Sequence, residues 1–305
     1  MKLPFDFAFE GFRIIREKPS RLLPWGLLTL LGFTASALIM WTMAGTAMGE
    51  LEQAAAGNDQ AALLAAYAKI GPAYALAFPI NMLIQVVIAC AIFRVVLHDA
   101  PLSFGGLRLG MDELRQVGVT ILFWIIFFLI YLLAVLPGII IGASFSAILG
   151  GPSTPAGMVG VFLGLIPTLL AIFYIGSRLS LCFVQSFDQK RINLFGSWAL
   201  TKGHAGTLML GYFLALATAT IVFVLCLGIF AALAIAASGG DFNAYSRMLD
   251  SARLGIQGLG NPVTVAYLFV SNGIVAPLLM AISFGAPAAA YKRLANGGVS
   301  AENVF

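Results

Sequence analysis

The sequence predicts an all-α, polytopic membrane protein with six transmembrane helices. They are read as three parallel two-helix repeats, each preceded by an amphipathic helix on the cytoplasmic surface. Three observations lead there. No Asp, Glu, Lys, Arg or His stands between Arg115 and Arg178, and further charge-free runs separate Arg21 from Glu50, Lys69 from Arg94 and Arg253 from Lys292; between Lys202 and Asp241 His204 is the one His or charged residue. Hydrophobic residues make up 60% of the 305 residues and charged residues 10%, against about 25% charge in soluble domains. The basic residues that remain fall almost entirely into alternate connectors. A soluble surface needs solvated groups every turn or two, whereas a hydrocarbon slab about 30 Å thick demands about 20 apolar residues per crossing.

Backbone groups in lipid must bond within the protein, which leaves helices or a closed barrel. Barrel strands alternate in segments of about ten residues. The run Val117 to Leu136 is continuous, so the crossings are helices.

In chain order, residues 1–21 open the protein as a surface element. Phe5, Phe9, Phe12 and Ile14/Ile15 fall on one helical face, with Arg13, Arg16 and Lys18 opposite or flanking, and Pro19 ends the element. Asp6, Glu10 and Glu17 lie in this stretch, and the apolar run that follows exceeds the about 7–15 residues of a signal sequence, so a retained first span is expected. The spans are Leu22–Met48, Pro72–Leu97, Val117–Leu149, Met158–Phe183, Gly206–Ala237 and Val263–Tyr291. The third is too long for a perpendicular crossing and contains Pro137-Gly138, which predicts strong tilt or a kink. Phe242, Tyr245, Leu249, Ala252 and Ile256 recur at helical spacing and predict a surface helix in the last outer connector.

Residues 1–21, 98–116 and 184–205 and the tail 292–305, together with Arg94 and Arg178 at the adjoining span ends, carry 14 Lys and Arg; connectors 49–71, 150–157 and 238–262 carry 3. Acidic residues split 8 to 5, so the first side is net +6 (14 − 8) and the second −2 (3 − 5). The positive-inside rule then places both termini in the cytoplasm. The basic balance implies membrane lipids as partners, including anionic headgroups on the cytoplasmic face. No basic helix with interleaved aromatics points to nucleic acid.

Three inner stretches resemble one another. Phe9-Glu10-Gly11-Phe12, Phe104-Gly105-Gly106-Leu107 and Phe195-Gly196-Ser197-Trp198 each place a large apolar residue three after a Phe, at intervals of 95 (104 − 9) and 91 (195 − 104) residues. Pro79 precedes Phe93-Arg94 as Pro277 precedes Tyr291-Lys292. The expected organisation is one transmembrane domain, 1–305, with repeats 5–98, 100–184 and 191–293 related by an axis along the membrane normal.

Polar residues inside the spans are the candidate sites for a ligand or lipid headgroup. Asn81 and Gln85 are four apart and share a helical face, and Asn272 lies deep in the last span. Interhelical hydrogen bonding is the alternative role for all three. Arg178, beside Ser177 and Ser180, and the weaker case Arg94 stand near inner span ends. An intramembrane Arg must find phosphate, carboxylate or water, or snorkel to the interface. A lipid phosphate at Arg178, with Ser177 or Ser180 assisting, is the sharpest expectation.

No catalytic residue, metal site or cofactor is expected. Cys90, Cys182 and Cys226 stand alone in apolar stretches, without disulfide or metal spacing. His98-Asp99 is an isolated pair at a span end, and Asp112-Glu113 are neighbours that do not face each other on a helix. The proposed span cores hold no acid to couple an ion.

The Phe-rich opening ending in Lys18-Pro19, the stretch Arg178-Leu179-Ser180 leading through Phe187-Asp188 to Gly196-Ser197-Trp198-Ala199-Leu200-Thr201-Lys202-Gly203, and the closing Ala290-Tyr291-Lys292-Arg293-Leu294 are soft motifs spread over nearly the whole chain. Together they resemble the bacterial six-helix membrane family that includes the membrane domain of glycerophosphodiester phosphodiesterases and YciC-like proteins. The resemblance implies the fold more than an activity. The short tail 292–305 offers no counterpart of the phosphodiesterase barrel, so the enzyme activity is not expected here. The function expected is a non-catalytic membrane protein that binds or moves a lipid or another amphipathic molecule. The alternative is a scaffold or regulatory subunit that docks a membrane-protein partner or a second copy of the chain, for which the small-residue face Gly138, Gly142 and Ser146 speaks.

Overall fold

The computed structural model describes residues 4–98, 103–243, 246 and 262–302. Among these residues every regular element is helical. Six stretches are long and apolar enough to cross a membrane: Pro19–Ala56, Gln60–His98, Phe104–Ile148, Pro155–Asp188, Ala205–Ala237 and Thr264–Ala295. The protein is therefore a multi-pass helical membrane protein. Of the predicted outer surface helix, Tyr245 and Leu249 to Ile256 lie outside the described residues, as does Asp99. The chain divides into two compact units, one of Met1–Glu10, Leu109–Ala215 and Gly285–Phe305, the other of Gly11–Arg108 and Leu216–Phe284.

In the second of these, α2 (Leu22–Ala56) and α3 (Gln60–His98) form a helical hairpin. Pro24 sits in the first turn of α2, where no ladder bond is lost. The sequence reading gave 49–71 to a connector, yet both helices run through it, broken only at Gly57–Asp59. Asn58 takes a left-handed φ of 53° there, and the Asp59 carboxylate accepts the N–H groups of Ala61 (3.0 Å) and Ala62 (3.1 Å), an N-cap for α3. The reason for the difference is length. At about 1.5 Å per residue, the 35 residues of α2 reach well past a 30 Å core. Loss of hydropathy marks the slab, while the Ala-rich helix continues beyond it, and Lys69 bonds Glu50 across the hairpin at 2.6 Å.

Lower in this unit, small residues let α2 approach its neighbours. Gly32 lies under Ile84 of α3, and Gly26 lies against the carbonyl of Gly273. Gly273 belongs to a π-helical turn, Ser271–Val275, between α9 (Pro262–Val270) and α10 (Ala276–Glu302).

In the first unit, α4 (Met111–Ile148) and α5 (Pro155–Leu179) form another hairpin. Gly150 and Gly151 turn the chain at positive φ (97° and 89°), and Thr154 caps α5 by accepting the N–H of Gly157 at 2.9 Å. Gly138, Gly142 and Ser146 of α4 meet Gly160 and Gly164 of α5 backbone to backbone. The small-residue face read above as a docking surface is thus covered from within the chain. After a break at Ser180-Leu181 the fourth crossing continues as α6 (Cys182–Asp188), then α7 (Gly196–Leu200) and α8 (Ala205–Ala237). Val119, Cys182 and Leu194 form a buried core between α4, α6 and the loop before α7.

The three leading segments differ from the amphipathic helices expected. Only the first contains a regular helix of two turns, α1 (Glu10–Glu17), after a 3-10 segment at Phe5–Phe9. Because the first turns are 3-10, the helical phase shifts: Phe7, Ala8 and Ile14 are buried while Phe5 and Phe9 stand exposed. Gly11 lets α1 lie on the backbone of Ala281 and Ile282. The second segment is a left-handed turn, with φ of 52° at Phe104, 66° at Gly105 and 81° at Gly106. The third, α7, has five residues.

Candidate functional site

Arg178, the strongest sequence candidate, ends up in a built corner of the first unit. Its side of the chain is only 7% exposed. Nη2 donates to the carbonyl of Trp198 at 2.6 Å, and the guanidinium lies 4.5 Å from the Trp198 ring centroid, within cation–π range. The return contact comes from α7: Ser197 Oγ donates to the carbonyl of Arg178 at 2.6 Å. That carbonyl sits in the last turn of α5, where no intrahelical donor remains. Each segment thereby caps the other, and Thr201, fully buried, closes the corner by donating to Ser197 O at 2.8 Å. Nε of Arg178 is buried without a hydrogen-bond partner. Ser177 bonds back to Tyr174 O at 2.8 Å, and Ser180 shares a 2.7 Å hydrogen bond with the Tyr212 hydroxyl, so neither serine reaches the guanidinium through these bonds. On the same unit the Tyr291 hydroxyl donates to Asp188 at 2.8 Å.

Arg94 plays a parallel part in the other unit. It too is 7% exposed, and Nη1 donates to Gly106 O at 3.0 Å. Trp25 Nε1 donates to the adjacent Gly105 O at 2.9 Å. These two donors hold the left-handed turn in place. Its glycine is required twice over: φ is positive, and a Cβ on Gly105 would stand 2.7 Å from Pro24 Cγ.

Two of the three span amides hydrogen-bond within the protein. Asn81 Nδ2 donates to Ser36 Oγ of α2 at 2.8 Å and to Ala77 O at 2.9 Å. Asn272 Nδ2 bonds Leu268 O at 2.9 Å, and its carbonyl accepts a short hydrogen bond from Thr29 of α2. Gln85, on the face of Asn81, is exposed. Asn81 and Asn272 thus both bond α2, by way of Ser36 and Thr29, two turns apart.

Several buried polar residues escaped the sequence reading. Glu113 and Gln116 are each 2% exposed, on the face of α4 that carries Val119; both fall within the connector 98–116 of the sequence reading. The spacing of three between them and Val119 is a legible inward stripe. The other omission is a cavity of about 410 Å³ at the head of α2, lined by Lys18, Ser20, Arg21, Leu23, Pro24, Leu27, Phe104 and Gly105. Two cations ahead of a long apolar run were its sequence signal. Phe104 and Gly105, eighty residues on, were not foreseeable as its far wall.

Among the described residues no group of three His, Cys, Asp or Glu could hold a metal ion. The chain matches no family model, no curated protein and no solved structure.

Proposed function

We propose that this is a non-catalytic integral protein of a bacterial inner membrane that binds or moves an anionic amphiphile, a phospholipid foremost. The observation that carries the reading is the placement of cations without carboxylate partners among the described residues where an apolar helix face begins: Lys18 and Arg21 line a cavity that exposed Leu23, Leu27 and Phe104 also line. Glu17, the acid next to Lys18, is taken by Arg13 at 2.9 Å. The exposed Phe5 and Phe9 suit the surface role of the first segment. The scaffold reading loses its main support, since the Gly138 and Gly142 face is filled by α5.

The triplicated organisation, 5–98, 100–184 and 191–293, gains support from a recurrence the sequence could not reveal. Each span-end arginine donates to a backbone carbonyl of a leading segment: Arg94 to Gly106, Arg178 to Trp198, and Arg293 to Pro4 at 3.3 Å. The resemblance to the six-helix family of YciC-like proteins fits this organisation and rests on the soft motifs alone. For orientation, reporter fusions after residues 60 and 153 are expected to read periplasmic and one after Phe305 cytoplasmic. A cytoplasmic reading at 153 would reverse the orientation.

The function is tested by thermal unfolding in mild detergent. Phosphatidylglycerol should raise the midpoint as ligand binding to the folded state requires, and phosphatidylcholine of the same chain length should not. Equal shifts with both lipids would remove the anionic preference.

A further inference from the structure

We propose that the cavity at the head of α2 holds the phosphate of an anionic glycerophospholipid between Lys18, Ser20 and Arg21, with an acyl chain laid along Leu23, Leu27 and Leu31. This deepens the lipid-binding reading and rests on it. The chain builds the place as follows. Pro19 stops α1 and the backbone turns through Lys18 (φ −144°, ψ 80°) into a single 3-10 turn, Pro19–Arg21, before α2 starts. Lys18 and Arg21, three residues apart, thereby both line the cavity, as does Ser20. Neither cation has a carboxylate partner among the described residues, and Glu17 is occupied by Arg13. Two adjacent cations at a low-dielectric surface call for an anion, and the positive end of the α2 dipole adds to the field.

The apolar side selects a lipid over a free phosphate. Leu23, Leu27 and Leu31 are four residues apart and all exposed, so they form one stripe running up α2 from the cavity. At about 1.5 Å per residue the stripe is about 12 Å long, a fair part of an acyl chain. Phe104, exposed, also lines the cavity, and the Trp25 and Arg94 bonds to Gly105 and Gly106 hold its turn. Two protein cations against one phosphate favour a headgroup without its own ammonium, which would compete for that phosphate. The site therefore takes a net-negative lipid such as phosphatidylglycerol rather than phosphatidylcholine.

The test measures phosphatidylglycerol affinity for the full-length protein in mild detergent. The wild type is compared with Lys18→Gln/Arg21→Gln, each single variant, and the control Lys190→Gln/Lys202→Gln, which removes two exposed cations elsewhere. A basic residue near an anionic headgroup contributes about 1 kcal/mol, so the double variant should bind about tenfold or more weakly, the singles in between, and the control unchanged. If the wild type prefers phosphatidylglycerol but the double variant binds it equally well, the lipid sits elsewhere and this inference fails while the lipid reading stands. If the wild type shows no preference for the anionic lipid, the reading itself fails. Inorganic phosphate or glycerol 3-phosphate binding as tightly as phosphatidylglycerol would overturn the acyl track. Should the double variant unfold, the two singles carry the same comparison.

Discussion

Replacing Arg178 with alanine is expected to lower the thermal unfolding midpoint by about 3–10 °C without changing the anionic lipid that co-purifies. The substitution takes the 2.6 Å charged donor from the Trp198 carbonyl and leaves it the longer Thr201 hydroxyl contact at 3.4 Å, a loss of about 1–3 kcal/mol. It also removes the cation over the Trp198 ring, worth about 0.5–2 kcal/mol. At about 2 °C per kcal/mol for a chain of this size, the two give the range stated. Arg178→Lys should recover only part of the loss, because an ammonium cannot lie flat on the indole while presenting a planar fork of donors. The competing expectation is that the guanidinium serves a lipid phosphate. It requires the opposite pattern: an unchanged midpoint and a loss of bound anionic lipid.

A comparable effect is expected in the α4–α5 hairpin. A Cβ on Gly164 would land on the carbonyl of Gly138 and stand 2.6 Å from the amide nitrogen of Gly142, all of it backbone. No rotamer relieves that contact, so the helices must separate along the whole seam. Gly164→Ala should destabilise by about 1–3 kcal/mol, and Gly164→Leu by more, since overpacking cost grows with volume. Gly228→Ala in α8, where a Cβ meets nothing within 4 Å, should be neutral or stabilising by up to about 1 kcal/mol from helix propensity. Equal unfolding midpoints for Gly164→Ala and Gly228→Ala would mean the hairpin does not pack through its glycines.

Both effects show what the sequence could and could not disclose. The crossings were legible because charge exclusion by lipid is local: the fifth, expected at Gly206–Ala237, is Ala205–Ala237. Helix ends beyond the slab were not, because hydropathy stops reporting where water begins, and α2 runs on to Ala56 while α3 already starts at Gln60. The stripe Gly138, Gly142, Ser146 was legible as a packing face, but its partner was not, although Gly160 and Gly164 repeat the same spacing. Arg178 was legible as a buried charge in need of acceptors. Its acceptor, a backbone carbonyl 20 residues along, carries no side-chain signature. The second leading segment departs from the 3.6-residue pattern for a similar reason, left-handed φ at Phe104, while in the first a 3-10 turn at Phe5–Phe9 precedes α1, which keeps Ile14 buried and Arg13 and Arg16 exposed. The cavity joins residues of two distant segments, so neither half announces it.

Native mass spectrometry of the gently solubilised wild-type protein tests the central claim most directly, because it weighs lipids and protein partners in one spectrum. The account predicts a chain that retains anionic phospholipid in preference to the zwitterionic lipid of the same membrane. A lipid-free chain in stoichiometric complex with another membrane protein would contradict it.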